Sequence, residues 1–218
     1  ISVTPVDDTP EIAEAFQDLT VNEDNADTVI DLSNHFTDKD NDNNAITLAV
    51  LNNSNAALIS ATIDNYQLTL KYTENHSGIA EIIIRASSNE KFVNDTLNIF
   101  VQAIDDPPEL LTPPSSITKN EDDPQHIVDM SIWFTDIDND DAQITYQIIQ
   151  NLRPDIVTPS ISAKQLVLNF TENANGTSII QIAGYSNGLS ATTDLSVIVL
   201  AVNDMPTVSN GNISLFED

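Results

Sequence analysis

Ala103-Ile104-Asp105-Asp106-Pro107-Pro108 lies near the middle of the chain and recurs, with substitutions, as Pro5-Val6-Asp7-Asp8-Thr9-Pro10 and as Ala201-Val202-Asn203-Asp204-Met205-Pro206. Each copy follows a run of β character. Two acidic or amide side chains ahead of a proline suit a stiff, extended linker, because proline fixes its own φ and drives the residue before it out of the helical region. These stretches read as junctions between modules.

Ile104 stands 98 residues after Val6, and Val202 stands 98 after Ile104. Other landmarks keep that offset: Asn22-Glu23-Asp24 with Asn120-Glu121-Asp122, Thr37-Asp38-Lys39-Asp40 with Thr135-Asp136-Ile137-Asp138, and Tyr72-Thr73-Glu74-Asn75 with Phe170-Thr171-Glu172-Asn173. A constant offset means no net insertion or deletion between landmarks, which is the mark of an internal repeat. The expected layout is the tail of one module over 1–8, complete modules over 9–106 and 107–204, and the start of another over 205–218, where Phe216-Glu217-Asp218 echoes the Asn-Glu-Asp motif. The chain reads as a fragment of a longer array.

With 34 acidic against 7 basic residues among 218, the net charge of -27 opposes binding to nucleic acid or to an anionic membrane. Apolar content of 40% in periodic runs separates the chain from acidic disordered sequences. There is no cysteine, so disulfides and thiolate metal sites are excluded. No stretch reaches the roughly 18 to 20 apolar residues of a membrane span.

Gln67-Leu68-Thr69-Leu70-Lys71-Tyr72 alternates at period two, and Gln165 to Phe170 repeats it in phase. Ile82, Ile84 and Ala86, then Leu97, Ile99 and Val101, continue the pattern. Val21 to Asp24 is expected to close a short first strand, and further strands are expected over Asp27 to Phe36, Ile46 to Leu51 and Ala56 to Ile63. About seven short strands per module, with no helical stripe, predict an all-β chain of two tandem seven-stranded Greek-key β-sandwiches in an extended array. Trp133, the only tryptophan, occupies the place of His35 and reads as a packing residue.

If strands alternate in direction, loops after odd-numbered strands fall at one end of a module and loops after even-numbered strands at the other. Glu23, Glu74, Asp105 and Asp106 then collect at the bottom of one module, and Asp136 and Asp138 at the top of the next, with Asp24 and Asp140 nearby. No lysine or arginine belongs to this central set. Two carboxylates about 5 Å apart repel by roughly 3 kcal/mol at an effective dielectric near 20, so the cluster calls for a cation. Calcium takes six to eight oxygens in flexible geometry, whereas magnesium keeps a tight hydrated octahedron. The Asp-x-Asp-x-Asp run is not an EF-hand loop, for it lacks the glycine at the sixth position, the closing glutamate and flanking helices.

Taken together, the pre-proline Asp-Asp or Asn-Asp linker, the early Asn-Glu-Asp, the Asp-x-Asp loop and the Glu after the fifth strand resemble the calcium-binding motifs of cadherin repeats. The nearest likeness is to the cadherin-like tandem repeats of very large bacterial surface adhesins, including the repeats-in-toxin type. The resemblance implies that Glu23, Glu74, Asp105, Asp106, Asp136 and Asp138 ligate calcium at the central junction. It also implies that Asp7, Asp8, Asp38 and Asp40 form half of an upper site, and Glu121, Glu172, Asn203 and Asp204 half of a lower one. Where cadherins offer a further aspartate near the end of the sixth strand, this chain has Ser88 and Ser186.

The leading expectation is an extracellular, cell-surface spacer and adhesion repeat, partnered by neighbouring repeats of its own chain and stiffened by calcium, that projects a distal ligand-binding region. The alternative is direct recognition, homophilic or of a host glycan, for which Tyr66, Tyr72, Trp133, Tyr146 and Tyr185 are the available aromatics. No enzyme is expected, since no nucleophile elbow, zinc-binding His-Glu-x-x-His or phosphate-cradling glycine loop is present.

Overall fold

The period-two runs form the strands of an all-β chain. The computed structural model describes residues 6–204. Residues 1–5 of the expected leading tail, and all of 205–218, lie outside the described residues. The chain divides into two compact units, one ending at Ile104 and the other beginning at Asp105. No helix among the described residues is long and apolar enough to cross a membrane.

The first unit comprises β1 (Glu11–Ile12), β2 (Leu19–Asn22), β3 (Thr28–Asp31), β4 (Phe36–Thr37), β5 (Thr47–Asn53), β6 (Ile59–Asp64), β7 (Gln67–Tyr72), β8 (Gly78–Ser88) and β9 (Lys91–Gln102). One sheet has the order β2-β9-β8-β5, a second the order β3-β7-β6, and β1 pairs with β4. β2 runs parallel to β9, and the other pairs are antiparallel.

The second unit repeats this with β10 (Glu109–Leu110), β11 (Ile117–Asn120), β12 (His126–Asp129), β13 (Phe134–Thr135), β14 (Thr145–Asn151), β15 (Val157–Ser162), β16 (Gln165–Phe170), β17 (Gly176–Ser186) and β18 (Leu189–Leu200). Its sheets run β11-β18-β17-β14 and β12-β16-β15, with β10 on β13.

In each unit the apolar faces of both larger sheets share one core. Leu68, Leu70, Ile82, Ile84, Leu97 and Ile99 are sealed in the first, and Leu166, Leu168, Ile180, Ile182, Leu195 and Val197 in the second. Trp133 is buried in the second core, which makes it the packing residue expected. Its counterpart His35 is also buried, and its Nε2 lies 2.9 Å from Asp95 Oδ2.

Two expected strands differ in extent. The run over Asp27 to Phe36 is broken, because the Asp31 carboxylate accepts a hydrogen bond from the Ser33 N–H at 2.9 Å and turns the chain between β3 and β4. Asp129 and Ser131 do the same in the second unit. The run expected over Ala56 to Ile63 begins only at Ile59, since the Asn55 side chain and carbonyl accept from the Leu58 N–H and hold a turn there.

Candidate metal centre

At the top of the second unit, between β13 and the short 3₁₀ turn Asp141–Gln143, the chain must reverse through Asp136-Ile137-Asp138-Asn139-Asp140. Asp136 organises the loop. Its Oδ1 accepts from the N–H groups of Asp138 (2.9 Å) and Asn139 (2.8 Å), while its own N–H donates to Asp141 Oδ1 at 2.8 Å. Asp140 caps the 3₁₀ turn by accepting from the Ala142 N–H, so it serves the loop and not the cluster.

The linker is fastened to this loop. The Asp106 N–H donates to Asp138 Oδ2 at 2.8 Å, and Asn139 Nδ2 donates both to Asp105 Oδ1 (2.6 Å) and to Asp136 Oδ1 (3.2 Å). Asp105, Asp106, Asp136 and Asp138 are thus gathered within the second unit. The linker acids belong, by their contacts, to the unit that follows them.

The first unit repeats the arrangement. The Asp8 N–H donates to Asp40 Oδ2 at 2.6 Å, and Asn41 Nδ2 donates to Asp7 Oδ1 (3.1 Å) and Asp38 Oδ1 (3.2 Å). Asn43 takes the part of Asp141, accepting from Thr37 Oγ1 and from the Asp38 N–H.

In both units one carboxylate oxygen is stranded. Asp38 and Asp136 are each only 8% exposed, and their Oδ2 atoms are buried without a hydrogen-bond partner. Ser88 and Ser186, the last residues of β8 and β17, are buried beside them. The Ser186 hydroxyl lies close enough to Asp136 to favour its charged form, but its Oγ, like Asp136 Oδ2, lacks a hydrogen-bond partner. The Asp40 N–H holds Asp38 below its usual 3.8 against the opposing effect of burial, with help from Ser88 and Asn41. For Asp136 burial is the largest influence and pushes upward, and Ser186 with the N–H groups of Asp138 and Asn139 more than offsets it. Both groups are therefore held as carboxylates, each with an unused, buried lone-pair face.

The bottom ends carry the remaining candidates. Glu23 is buried, and its Oε1 accepts from the Ile104 N–H at 2.8 Å. Glu74 is exposed on the loop after β7, which is tied to the Glu23 turn by the Asn75 N–H donating to Asp24 Oδ1 at 2.9 Å. In the second unit Glu121 Oε1 accepts from the Val202 N–H at 2.9 Å and Oε2 from Asn175 Nδ2 at 3.3 Å. Burial, then the charges of Asp204, Glu121, Glu172 and Asp123, raise the pKa of Asp122, so these acids crowd one another. Asn203 is exposed beyond the end of β18.

Among the described residues no group of three or more His, Cys, Asp or Glu side chains is poised to hold an ion. Asn41, Asn139, Asp122, Ser88 and Ser186 were not nominated from sequence as candidate ligands, although the shared offset marks Asn41 with Asn139 and Ser88 with Ser186 as equivalent pairs. The aromatics considered for recognition are largely taken up internally. Tyr66 Oη donates to the Ile46 carbonyl, Tyr72 Oη to Thr28 Oγ1 and Tyr146 Oη to the Met130 carbonyl, while Trp133 is buried.

No protein-family profile matches the sequence, and no curated protein matches it. Solved structures do resemble it. Human protocadherin-24 EC1-2 is 16% identical at a TM-score of 0.45, over 93% of this chain and 100% of that one. The protocadherin GammaB4 extracellular domain is 14% identical at 0.43, over 88% and 34%. The endo-fucoidan hydrolase MfFcnA4, from glycoside hydrolase family 107, is 16% identical at 0.40, over 93% of this chain. The chain spans 30% of that hydrolase's length. Several of the similar structures are cadherin extracellular domains.

Proposed function

We propose that the chain is a pair of cadherin-like repeats, each a seven-stranded Greek-key sandwich, from the extracellular part of a surface protein such as a large bacterial adhesin of the repeats-in-toxin type. Calcium braces each repeat to its neighbour, and the array acts as a spacer that carries a ligand-binding region elsewhere in the parent protein.

The observation that carries this reading is the stranded Oδ2 of Asp38 and of Asp136. A buried acceptor without a partner costs roughly 1–3 kcal/mol, and more when charged, yet both units retain one at the same place. A hard cation coordinated by that oxygen would remove the cost. The donor set is all oxygen and rich in carboxylates and amides, which suits calcium. At the top of the second unit the ligands would come from Asp105, Asp106, Asp136 and Asp138, with Glu23 and Glu74 supplied by the preceding repeat. Asp7, Asp8, Asp38 and Asp40 would serve the upper site in the same way, and Glu121, Glu172, Asn203 and Asp204 the lower. Asp138, exposed in the free loop, would turn toward Asp136 on binding the ion.

Small-angle scattering in calcium and in chelator tests the spacer role. A maximum dimension that grows or sharpens with calcium, and no longer does so in Asp136→Asn, supports it; identical profiles with and without the ion oppose it.

A further inference from the structure

Beyond the exchange of Asn43 for Asp141, the two top-end acid sets differ in the ammonium groups beside them. In the first unit Lys91 opens β9 directly across the hairpin from Ser88, and its Nζ donates to the Asp7 carbonyl and stands 3.4 Å from Asp7 Oδ2. The same Asp7 carboxylate accepts from Asn89 Nδ2 (2.8 Å) and Asn41 Nδ2 (3.1 Å). A second ammonium, Lys39, lies between Asp38 and Asp40, ion-paired to Glu11 at 2.7 Å.

In the second unit, 98 residues on, these positions hold Leu189, across from Ser186, and Ile137, 64% exposed between Asp136 and Asp138. Neither supplies a charge, and the second unit's own ammonium, Lys164, donates to the Asp141 carbonyl and not to a linker acid. Both sets nonetheless share the feature that points to a bound cation, a buried, unpartnered Asp Oδ2.

We propose that Lys91, assisted by Lys39, is a built-in counter-ion that makes the first unit's top set the weaker calcium site and keeps its linker fastened when calcium is scarce. The second unit's set, with leucine and isoleucine in their places, holds its linker by the Asp106 and Asn139 hydrogen bonds without an ammonium on the linker acids. This rests on the calcium reading above and adds that joints along the array release calcium in a fixed order, set by what occupies the position of residue 91. An ammonium about 6 Å from a divalent ion in a water-like dielectric lowers its affinity roughly tenfold.

Radiocalcium equilibrium dialysis on the whole chain tests the proposal. Leu189→Lys is expected to weaken the tighter class of site about tenfold, and adding Ile137→Lys to weaken it further. Lys91→Leu, a change at a partly exposed position, is expected to strengthen the weaker class by a similar factor. Ile179→Lys adds the same charge to β17 seven residues before Ser186, on the order of 23 Å away. That separation exceeds the Debye length at physiological salt, so this control is expected to leave affinity unchanged. Equal effects of Leu189→Lys and Ile179→Lys, or no effect of Leu189→Lys and Lys91→Leu, would overturn the counter-ion proposal and leave the calcium reading standing. An unaltered chain that binds no calcium at millimolar concentrations overturns both.

Discussion

Asp136 and Asp38 show how much a single side chain reveals at different stages. Their repetition at one offset marks them in the sequence, but the stranded oxygen becomes visible only once burial and hydrogen bonds are known. Ser186 stands in the sequence where cadherins offer a further aspartate, and in the structure it is a buried hydroxyl beside Asp136. Lys91 carries no repeat signature, since the equivalent position of the second unit holds Leu189. Two residue-level consequences follow. Asp122 has its pKa raised by burial and like charges, so its ionisation opposes folding; the penalty is absent below the ordinary carboxylate value of 3.8, grows as pH rises through the raised value, and persists at neutrality. Asp122→Asn is therefore expected to stabilise the calcium-free chain in denaturant titrations at pH 7 and to give no gain near pH 3. Asp38 and Asp136 have depressed values, so the stability they lend is present above 3.8 and is lost as pH falls through their lowered values.

Among elements, the long strands were legible because period two survives in β7, β8 and β9 and in their partners. The short pairs β1–β4 and β10–β13 were not, since two residues carry no periodicity. The β8–β9 hairpin turns through Asn89 and Glu90, both with positive φ, where the second unit has Asn187 and Gly188. Glu90 pays the left-handed penalty that glycine escapes, about 1–2 kcal/mol. Glu90→Gly is expected to raise the melting temperature of the first unit, by less than that penalty implies because glycine also gains freedom in the unfolded chain; an unchanged or lower melting temperature would refute it. On β17, a Cβ at Gly184 would come within 2.7 Å of the Phe134 ring, whereas the first unit accommodates Ala86 at the equivalent position. Gly184→Ala should destabilise the second unit by about 1–3 kcal/mol, readable as a lower denaturation midpoint, and Ala86→Gly should show no comparable clash relief.

At the scale of the molecule, the 98-residue offset places a repeat boundary after Asp106, and the compact units divide two residues earlier, between Ile104 and Asp105. Both units repeat the same sheet orders, and their cores correspond except where Trp133 stands for His35 and where Ser178 and Gly184 stand for Ala80 and Ala86. The assignment of the linker acids was not legible, because only side-chain contacts show Asp105 and Asp106 fastened to the loop of the following unit. If calcium binds the folded units and not the unfolded chain, free ion at about a hundred times the dissociation constant should stabilise the sites by roughly 2.7 kcal/mol. The expected consequence is a higher melting temperature in calcium that falls back on chelation and is insensitive to added sodium of equal ionic strength.

The central claim is that oxygens held at the tops of the units ligate calcium. Calorimetric titration of calcium into chelator-stripped protein, run beside Asp136→Asn, tests it most directly. The account predicts saturable binding with a dissociation constant on the order of 0.1–1 mM, with the heat from the second unit's site lost in the variant. Binding heats that are absent, or that are the same in both proteins, would contradict it.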